Sequence, residues 1–367
     1  MSIDAIAASR LRIPLVRPYR LAFGAVTHYD TLVVEIVLDD GRSGYGEATL
    51  LTGYTDETIE GAWDLAADLV ETLCGLSAGD GRLRLNALAP RAPFLASAFS
   101  CALDHAGGHP LLRTDDARRV PLLGLLQGDD DSSLRDEFAR LLAGGYKTVK
   151  VKVGFDARAD AHHVAAVQRI VDGRAAIRID ANQGYAPEDA VRFIDSVDPV
   201  GIELFEQPCA AGDWDAHAVA SDAARRRKLP LMLDESIYGI ADIERAAAEH
   251  ACRFIKLKLM KFAGIDALTA ALERIRGLGM QPVLGNGVAC DLSCWMEACV
   301  ASRYVDNAGE MNGFLKVHET LFGAPLPFDN GHVVLPAGYA PQIDRQALAA
   351  RACGHVRRHR KVHACAR

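Results

Sequence analysis

One pattern recurs from about Val120 to the end of the predicted core: a short apolar strand, a polar residue at its end, and then a helical stretch. The polar residues that end the predicted strands are Lys152, Asp180, Glu206, Asp234, Lys258, Asn286 and Glu310, at intervals of 28, 26, 28, 24, 28 and 24 residues. Strands that alternate with helices pair in parallel, and eight such units predict a closed (β/α)8 barrel. The carboxyl ends of its strands would meet at one mouth, where these polar residues would lie together.

The first part of the chain has a different pattern. Residues 31–48 read as two strands around the turn Asp39-Asp40-Gly41, and helical stretches follow. We expect residues 1–115, joined by the C-terminal segment 328–367, to form an α+β capping domain over the mouth of the barrel. Residues 116–327 would then form the catalytic barrel.

The bulk properties exclude several classes of partner. The 367 residues carry a net charge of -7, which argues against a nucleic acid or an anionic membrane as partner. No apolar run reaches the ~18 residues that a membrane span needs. The nine cysteines are scattered and form no CxxC pair, a distribution typical of reduced thiols in the cytoplasm. We expect a cytoplasmic homo-oligomer that acts on small molecules.

Three of the strand ends carry carboxylates, in the motifs IDAN (Asp180), FEQP (Glu206) and LDES (Asp234). Like charges about 4 Å apart repel by about 4 kcal/mol per pair at an effective dielectric constant near 20, so something must offset them. Any one of them could instead be a helix N-cap or a salt-bridge partner. For all three together we expect a hard divalent cation, preferably Mg²⁺, which takes few carboxylates and keeps sites open for substrate.

Lysines flank these carboxylates. In KTVKVKVG, Lys150 and Lys152 lie on one face of a strand about 7 Å apart, and Lys258 ends the strand after Asp234. Two ammonium groups at that distance repel by about 2.4 kcal/mol at a dielectric constant of 20. We therefore expect Lys150, together with desolvation and the nearby metal, to lower the pKa of Lys152 towards the roughly 7 to 8 of a general base. Lys256 is unexpected, and an ion pair with Glu203 or Asp180 is one explanation.

Taken together, the motifs resemble those of the enolase superfamily, and within it the muconate lactonizing enzyme-like subgroup. The motifs are GYGEA with LTGYTDET (residues 44–58), KVKVG, DANQGY, FEQP, LDES and KLMKFAGI (residues 258–265). The resemblance implies an α/β fold, a (β/α)7β TIM-like barrel with an α+β capping domain. It also implies that the three carboxylates bind Mg²⁺. Lys152 and Lys258 would be acid/base groups on opposite faces of a carboxylate substrate, whose α-proton is removed to give a metal-stabilised enolate.

Other positions are candidates for substrate contacts. In GEMNG, Glu310 and Asn312 lie two apart, in the place where dipeptide epimerases of the subgroup have a DxDG element that receives the substrate ammonium. Alternatively, Glu310 only pairs with a lysine of the barrel. Further candidate substrate contacts are Asn182 in DANQGY, Asn286 and Asp291 after strand seven, and Arg20 and Tyr54 in the capping segments.

Two features of the subgroup are altered. Phe262-Ala263-Gly264 stands where KxGG is usual after the second lysine, and no glutamate follows strand seven.

The resemblance predicts a racemase or epimerase of an amino-acid derivative: a dipeptide, an N-acyl amino acid or a proline-type compound. The alternative is a dehydratase or cycloisomerase, which would expel a β-group from the same enolate. A third possibility, a binding or structural protein that has only inherited the fold, fits poorly with an intact set of three carboxylates and two lysines.

The C-terminal tail contains a separate histidine pattern. His355, His359 and His363 recur every four residues, with Cys353 and Cys365 beside them. That spacing would suit zinc on a helix face. Because the tail is strongly basic and follows the last core segment, we expect instead a frayed, solvated end.

Overall fold

The computed structural model describes residues 1–21, 24–51 and 55–360, with the backbone alone at 19–21 and 24–25. The strands in these ranges are β1 (Ile3–Leu21), β2 (Gly24–Leu38), β3 (Ser43–Leu50), β4 (Arg118–Pro121), β5 (Gly124–Leu126), β6 (Thr148–Lys152), β7 (Ala176–Asp180), β8 (Ile202–Glu206), β9 (Leu231–Leu233), β10 (Phe254–Leu257), β11 (Gln281–Leu284), β12 (Phe328–Asp329), β13 (His332–Leu335) and β14 (Ala352–His359). The α-helices there are α1 (Ile59–Leu73), α2 (Ala78–Leu88), α3 (Pro93–Gly107), α4 (Asp131–Ala143), α5 (Ala157–Val171), α6 (Pro187–Ser196), α7 (Trp214–Arg227), α8 (Ile240–Ala248), α9 (Ile265–Gly277), α10 (Asp291–Tyr304) and α11 (Arg345–Arg351).

The N-terminal part forms an antiparallel sheet in the order β14-β1-β2-β3, with α3 packed on β2 and β3. The predicted hairpin is confirmed: β2 pairs with β3, and Gly41 takes the positive φ of 84° that its turn needs. Gly46 lets the sheet approach α3 closely, since a Cβ there would lie 1.9 Å from the carbonyl oxygen of Ala98. The interface between sheet and helix therefore depends on this glycine.

The barrel is confirmed as a (β/α)7β TIM-like fold. The parallel strands β5 to β11 are joined in sequence order, each followed by one of the helices α4 to α10. The eighth position is a short segment near Gly309. It closes the barrel by pairing with Leu122 on one side, while the backbone N–H of Glu310 donates to the Leu284 carbonyl at 3.0 Å on the other.

The sequence predicts VPLLGLL (residues 120–126) and YVDNAGEM (residues 304–311) as the first and last strands of the barrel, and both differ from the structure. VPLLGLL is not one strand but two: β4 pairs antiparallel with β13, and only β5 enters the barrel. In YVDNAGEM, Tyr304 ends α10, and a single bridge at Gly309 replaces a regular strand. Strand propensity alone does not show at which residue an apolar segment stops pairing with one sheet and begins to pair with another.

The interior of the barrel is layered. Its lower part is a small apolar cluster formed by Leu204, Met232, Phe254 and Val283. Nearer the mouth, the inward-facing positions of β6, β7, β8 and β10 carry the buried charged residues Lys150, Asp180, Glu206 and Lys256. The charged layer therefore lies above this apolar cluster, with the buried Arg178 in register with Leu204.

The C-terminal segment from residue 328 divides. β12 and β13 pair with β4, which directly precedes the first barrel strand, whereas β14 pairs antiparallel with β1 in the capping sheet. The expectation of a frayed end is therefore wrong for residues 352–359. His355 and His359 lie on the exposed side of β14, and His355 Nδ1 lies 3.0 Å from Ser9 Oγ. His363 and Cys365 lie outside the described residues.

Across the described ranges, no helix is both long enough and apolar enough to cross a lipid bilayer.

Candidate active site

The three predicted metal-binding carboxylates converge inside the barrel mouth. Asp180 ends β7, Glu206 ends β8 and Asp234 follows β9, and each is at most 1% exposed. Asp180 Oδ2 and Glu206 Oε2 lie 2.9 and 2.7 Å from Lys150 Nζ. Glu206 Oε1 and Asp234 Oδ2 lie 3.0 and 3.3 Å from Lys256 Nζ. Shared ammonium partners therefore connect the carboxylates of three consecutive strands.

These contacts change the acidity of the carboxylates in opposite directions. Burial raises the pKa of Asp180, but the ammonium groups of Lys150, Lys152 and Lys256 outweigh it and hold the value at about 2. The pKa of Glu206 is raised to about 7, first by burial and then by the charge of Asp180. For Asp234, burial is outweighed by Lys258, Lys256 and Lys261, and its pKa falls well below the usual range.

Lys150 lies at the base of this site, 1% exposed, and also contacts Glu310 Oε2 at 3.0 Å. Burial lowers its pKa, but Asp180, Glu206 and Glu310 outweigh that effect and raise it. The positive charge of Lys150 is thus matched by three carboxylates. Repulsion between Lys150 and Lys152, which we expected to tune the second lysine, is offset by these neighbours.

Lys152 and Lys258 lie across the mouth from each other. If β5 is the first barrel strand, Lys152 ends the second and Lys258 follows the sixth, four positions apart in a ring of eight. Lys152 Nζ lies 2.5 Å from Asp180 Oδ2, and Lys258 Nζ lies 2.7 Å from Asp234 Oδ2. The Lys152 side chain is 26% exposed and that of Lys258 is 4% exposed. A planar group at the centre of the mouth would therefore have one amine on each face.

Asn182, predicted as a substrate contact, lies between Lys152 and Glu235. Its Oδ1 accepts a hydrogen bond from Lys152 Nζ, and its Nδ2 donates to Glu235 Oε1 at 3.0 Å. Its backbone has a positive φ of 43°, and its N–H donates to Asp180 Oδ1 at 2.8 Å. Asn182 thus links a carboxylate of the site to the exposed lysine and fixes the position of both.

Glu310 and Lys256 form a buried pair beneath the mouth. Lys256 Nζ donates to Glu310 Oε2, and Lys150 Nζ donates to both oxygens of the same carboxylate. Lys256 is therefore paired with Glu206, Asp234 and Glu310. The suggested ion pair with Glu203 is wrong, because Glu203 binds Arg178 at 2.8 Å. The structure favours the alternative in which Glu310 pairs with lysines of the barrel.

The remaining predicted residues have varied surroundings. Asn312 Nδ2 donates to the Leu123 carbonyl at 3.4 Å, while its buried Oδ1 has no hydrogen-bond partner among the described residues. Asn286 Nδ2 lies 2.6 Å from Met260 Sδ, and its Oδ1 accepts from the Val288 N–H.

Asp291 is occupied by main-chain groups. Both of its carboxylate oxygens accept backbone N–H groups, from Leu321 and Phe322. Arg20 lies in β1 with only its backbone described, and Tyr54 lies outside the described residues.

Several buried charged residues escaped the sequence reasoning. Lys261 donates to the Asp234 carbonyl at 2.7 Å and to Asp234 Oδ1 at 3.1 Å, and burial lowers its pKa to about 8. Glu297, on α10, accepts the Leu259 N–H at 2.8 Å, and burial raises its pKa to about 8. The position of Lys261, three residues after Lys258, was a usable signal, whereas nothing local marks Glu297.

Glu47 of the GYGEA motif connects the two parts of the chain. Its carboxylate accepts the backbone N–H groups of Cys290 and Ser293 at 2.6 and 3.0 Å, at the start of α10. Burial raises its pKa to about 7, while these N–H groups lower it. The capping sheet therefore supplies the N-terminal cap of a barrel helix.

The donor set has the chemistry that a hard divalent cation prefers: three buried carboxylates on adjacent strands. Within the described ranges, Glu206 Oε2 accepts no hydrogen bond of good geometry, although Lys150 Nζ lies 2.7 Å away. As the described side chains stand, no three His, Cys, Asp or Glu residues are close enough to ligate one ion, because ammonium groups lie between the carboxylates. Asp180, Glu206 and Asp234 nevertheless fit such an ion, because all three are carboxylates, all three are buried, and they follow or end neighbouring strands.

Comparison with known proteins identifies the family of the chain. The family described as "Enolase C-terminal domain-like" matches residues 133–346, more than half of the chain. An L-Ala-D/L-Glu epimerase from Clostridium acetobutylicum is 29% identical over 352 residues, covering 91% of this chain and 96% of that protein. The muconate lactonizing enzyme of Pseudomonas putida has a TM-score of 0.84 at 25% identity, covering 96% of this chain and all of its own.

The chain belongs to the enolase superfamily, in its muconate lactonizing enzyme-like subgroup.

A solved dipeptide epimerase from Cytophaga hutchinsonii, complexed with Mg and the dipeptide D-Ala-L-Val, has the same fold. Its TM-score is 0.85 at 22% identity, covering 97% of this chain and all of that chain. The relatives include epimerases, racemases and muconate lactonizing enzymes, so the present enzyme is an isomerase. The predicted family, fold and enzyme class are thus confirmed.

The structure also describes the surroundings of the two altered motifs. Phe262 is buried, and Gly264 takes a φ of 101° beside Asp104 of α3. Although no glutamate directly follows β11, Glu297 of α10 approaches from the same side and binds the backbone next to Lys258. In this superfamily member a helix residue thus places a buried carboxyl group near the second lysine.

Proposed function

We propose that the enzyme is a Mg²⁺-dependent racemase or epimerase that moves the α-proton of an amino-acid derivative with a free carboxylate. The observation that carries this proposal is the pair of lysines, Lys152 and Lys258, four strands apart and on either side of converging carboxylates. Asp180, Glu206 and Asp234 would hold the ion. When bound, it would supply a Lewis acid that stabilises negative charge developing on the substrate carboxylate.

The chain's own residues supply the proton transfers. One lysine, neutral at the start of a turnover, removes the α-proton from its face, and the other, protonated, returns a proton from the opposite face. Reversal exchanges the two roles, so both stereoisomers are substrates. Asn182 supports the exposed base, because it fixes Lys152 Nζ and is itself held by Glu235.

Burial of the site strengthens these electrostatic interactions. The carboxylates and Lys258 are at most 4% exposed, so the charged groups act in a medium where Coulomb interactions exceed those in water. Related proteins of known name act on dipeptides and N-succinylated amino acids, which supports a substrate in this class.

The proposal is tested by proton exchange. Amino-acid derivatives are incubated with the enzyme and Mg²⁺ in D₂O, and the α-carbon is followed by NMR. Exchange with inversion is expected. Loss of water or ring closure would indicate a dehydratase or cycloisomerase instead, and no exchange across a broad panel of carboxylates would refute the proposal.

Single lysine variants sharpen the test. Lys258→Ala should abolish inversion, a loss of about 10² to 10⁴ in rate, while one stereoisomer still exchanges through Lys152. Lys152→Ala should leave exchange of the other stereoisomer only. Lys147→Ala, an exposed lysine just before β6, is the matched control and should behave as wild type. Loss of exchange from both stereoisomers in either active-site variant would contradict two-faced catalysis.

A further inference from the structure

The barrel holds the backbones of the two lysines in different ways. Lys152 is the last residue of β6, where it is paired with Asp180 in the parallel ladder between β6 and β7. Lys258 comes one residue after β10, whose described ladder with β11 ends at Leu257. The strand therefore fixes the backbone of Lys152, whereas the position of Lys258 depends on what holds the segment after β10.

Residues 258–265, which we call the Lys258 segment, begin with a short 3₁₀ turn. The N–H of Lys261 donates to the Lys258 carbonyl, and the N–H of Phe262 donates to the Leu259 carbonyl, both at 3.0 Å. A 3₁₀ turn has poorer hydrogen-bond geometry than an α-helix. The orientation of this turn therefore depends on contacts with neighbouring elements.

Two buried side chains from different elements hold Leu259, the residue next to Lys258. Ser97 Oγ, on helix α3 of the capping sheet, donates to the Leu259 carbonyl at 3.0 Å. Glu297 Oε1, on helix α10 of the barrel, accepts the Leu259 N–H at 2.8 Å. Leu259, Ser97 and Glu297 are each at most 2% exposed. The peptide group that joins Lys258 to Leu259 and the next peptide group are thus both held by buried side chains.

The far end of the Lys258 segment is held from the capping side as well. Asp104 Oδ2, on α3, accepts the Ile265 N–H at 2.8 Å. Arg82 of α2, which forms an ion pair with Asp104, donates to the Ala263 carbonyl at 3.4 Å. The helices on the capping sheet therefore contact the segment at both of its ends.

Glu297 is also close enough to Lys258 for the two charges to interact. Burial raises the pKa of Glu297 to about 8, while the Leu259 N–H and the ammonium of Lys258 act against it. Its second oxygen, Oε2, is buried and has no hydrogen-bond partner in the described part of the chain. Because an unpaired buried oxygen is unfavourable, packing alone does not explain a carboxyl group at this position.

We propose that Ser97 and Glu297 are positioning residues for Lys258, because by holding both sides of Leu259 they place the Lys258 ammonium on its face of the substrate. The capping side of the molecule then takes part in proton transfer on one face only, since Lys152 is placed by β6 and by Asn182 of the barrel. This inference rests on the proposed function for the role of Lys258. A misplacement of about 1 Å can lower the rate by about 10²-fold.

The first test measures the reactivity of the lysines and needs no substrate. The protein is labelled with a trace of acetic anhydride, and mass spectrometry gives the labelling of each lysine relative to the exposed Lys147. Lys258 is 4% exposed and lies against Asp234, so it should react slowly in the wild type. Ser97→Ala should raise the labelling of Lys258 about threefold or more and leave that of Lys152 within about 1.5-fold, because only the Lys258 segment loses a hydrogen bond.

The second test measures each face of the substrate separately. The initial rate of α-proton loss into D₂O is followed for the L and D stereoisomers of N-acetylalanine with Mg²⁺ present. The stereoisomer that still exchanges in Lys152→Ala reports on Lys258. For that stereoisomer, Ser97→Ala should lower kcat by about fivefold or more and leave KM within about twofold, whereas neither constant should change by more than about twofold for the other.

Ser100 provides the matched control for Ser97. It lies one turn later on α3 and is equally buried, but its Oγ has no hydrogen-bond partner among the described residues. Ser100→Ala removes the same atom and should behave as the wild type in both tests. Glu297→Leu should affect Lys258 as Ser97→Ala does. Glu297→Gln should behave as the wild type, because its amide oxygen can still accept the Leu259 N–H.

The outcomes separate the inference from the proposed function. Equal changes at Lys152 and Lys258, equal effects of Ser97→Ala and Ser100→Ala, or the same loss in Glu297→Gln as in Glu297→Leu would overturn the inference. Unchanged labelling of Lys258 in Ser97→Ala would overturn it as well. If the wild type exchanges neither stereoisomer, that result would count against the proposed function, and the labelling would still decide the inference by the same criteria.

Discussion

The Lys256–Glu310 pair allows a quantitative test of how the charged layer is held together. Lys256 Nζ contacts Glu206 Oε1 at 3.0 Å, Asp234 Oδ2 at 3.3 Å and Glu310 Oε2, and both members of the pair are buried. A single ion pair at 3.0 Å contributes about 5.5 kcal/mol of Coulomb energy at a dielectric constant of 20, and desolvation of the two ions opposes it. Removing one partner leaves a buried charge without its counter-charge.

We therefore predict a strongly non-additive double-mutant cycle. Lys256→Met leaves one excess negative charge and should lower the free energy of unfolding by about 3 to 5 kcal/mol. Glu310→Gln leaves one excess positive charge and should cost a similar amount. The double variant restores the balance of charge, so its cost should fall below the sum of the single costs by at least about 1.5 kcal/mol.

The assay is urea unfolding followed by circular dichroism, with EDTA present for all four proteins so that bound metal does not contribute. The pair Arg274 and Glu244 serves as the control, because it joins exposed side chains at 2.8 Å and should show a coupling below about 1 kcal/mol. Additive costs at Lys256 and Glu310, within about 0.5 kcal/mol, would refute the reasoning, since the two charges would then not depend on each other.

Three further predictions concern the metal, a buried acid and a packing contact. We expect Mg²⁺ binding, measured by calorimetry, to weaken by more than about tenfold in Asp180→Asn and in Glu206→Gln. The control Asp266→Asn, at an exposed position, should bind Mg²⁺ as the wild type does. Unchanged affinity in the first two variants would show that Asp180 and Glu206 do not bind the metal. The pKa of Glu297 is raised to about 8, so the folded state binds its proton more tightly than the unfolded state, and this residue's contribution to stability is lost as pH rises from about 4.5 to 8. Glu297→Gln should therefore flatten the unfolding profile across that range, and a profile parallel to that of the wild type would contradict the assignment. Gly46→Ala, which would place Cβ 1.9 Å from the Ala98 carbonyl oxygen, should cost about 3 kcal/mol or more in thermal unfolding, whereas Gly277→Ala, with nothing within 4 Å, should be neutral or slightly stabilising.

Much of the fold could be predicted because its signals are local. The alternation of strand and helix, with a polar residue at each strand end, follows from burial of parallel strands on both faces and the meeting of their carboxyl ends. The hairpin at Gly41 and the glycine stop after α3, where Gly108 has a φ of 72°, are likewise consequences of single residues.

Other features depend on contacts between distant segments. β14 was missed because a basic, alternating segment is indistinguishable from a solvated tail until the free edge of β1 pairs with it. VPLLGLL appeared as one strand because apolar composition does not show that β4 turns to a different sheet before β5 enters the barrel.

By itself, the sequence determined the barrel, its mouth, and the three carboxylates and two lysines that meet there. The two-residue period of a strand tells which side chains point inwards, and the order of the strands tells where each one lies around the mouth. Neither step requires knowledge of what each side chain contacts. Only the tertiary structure decided what each charge is paired with. Lys150 is surrounded by carboxylates instead of repelling Lys152, and Glu310 binds Lys256, 54 residues away, instead of awaiting a ligand. Pairing inside the barrel depends on three-dimensional distance and burial, which set the electrostatic energies and which a linear pattern does not contain.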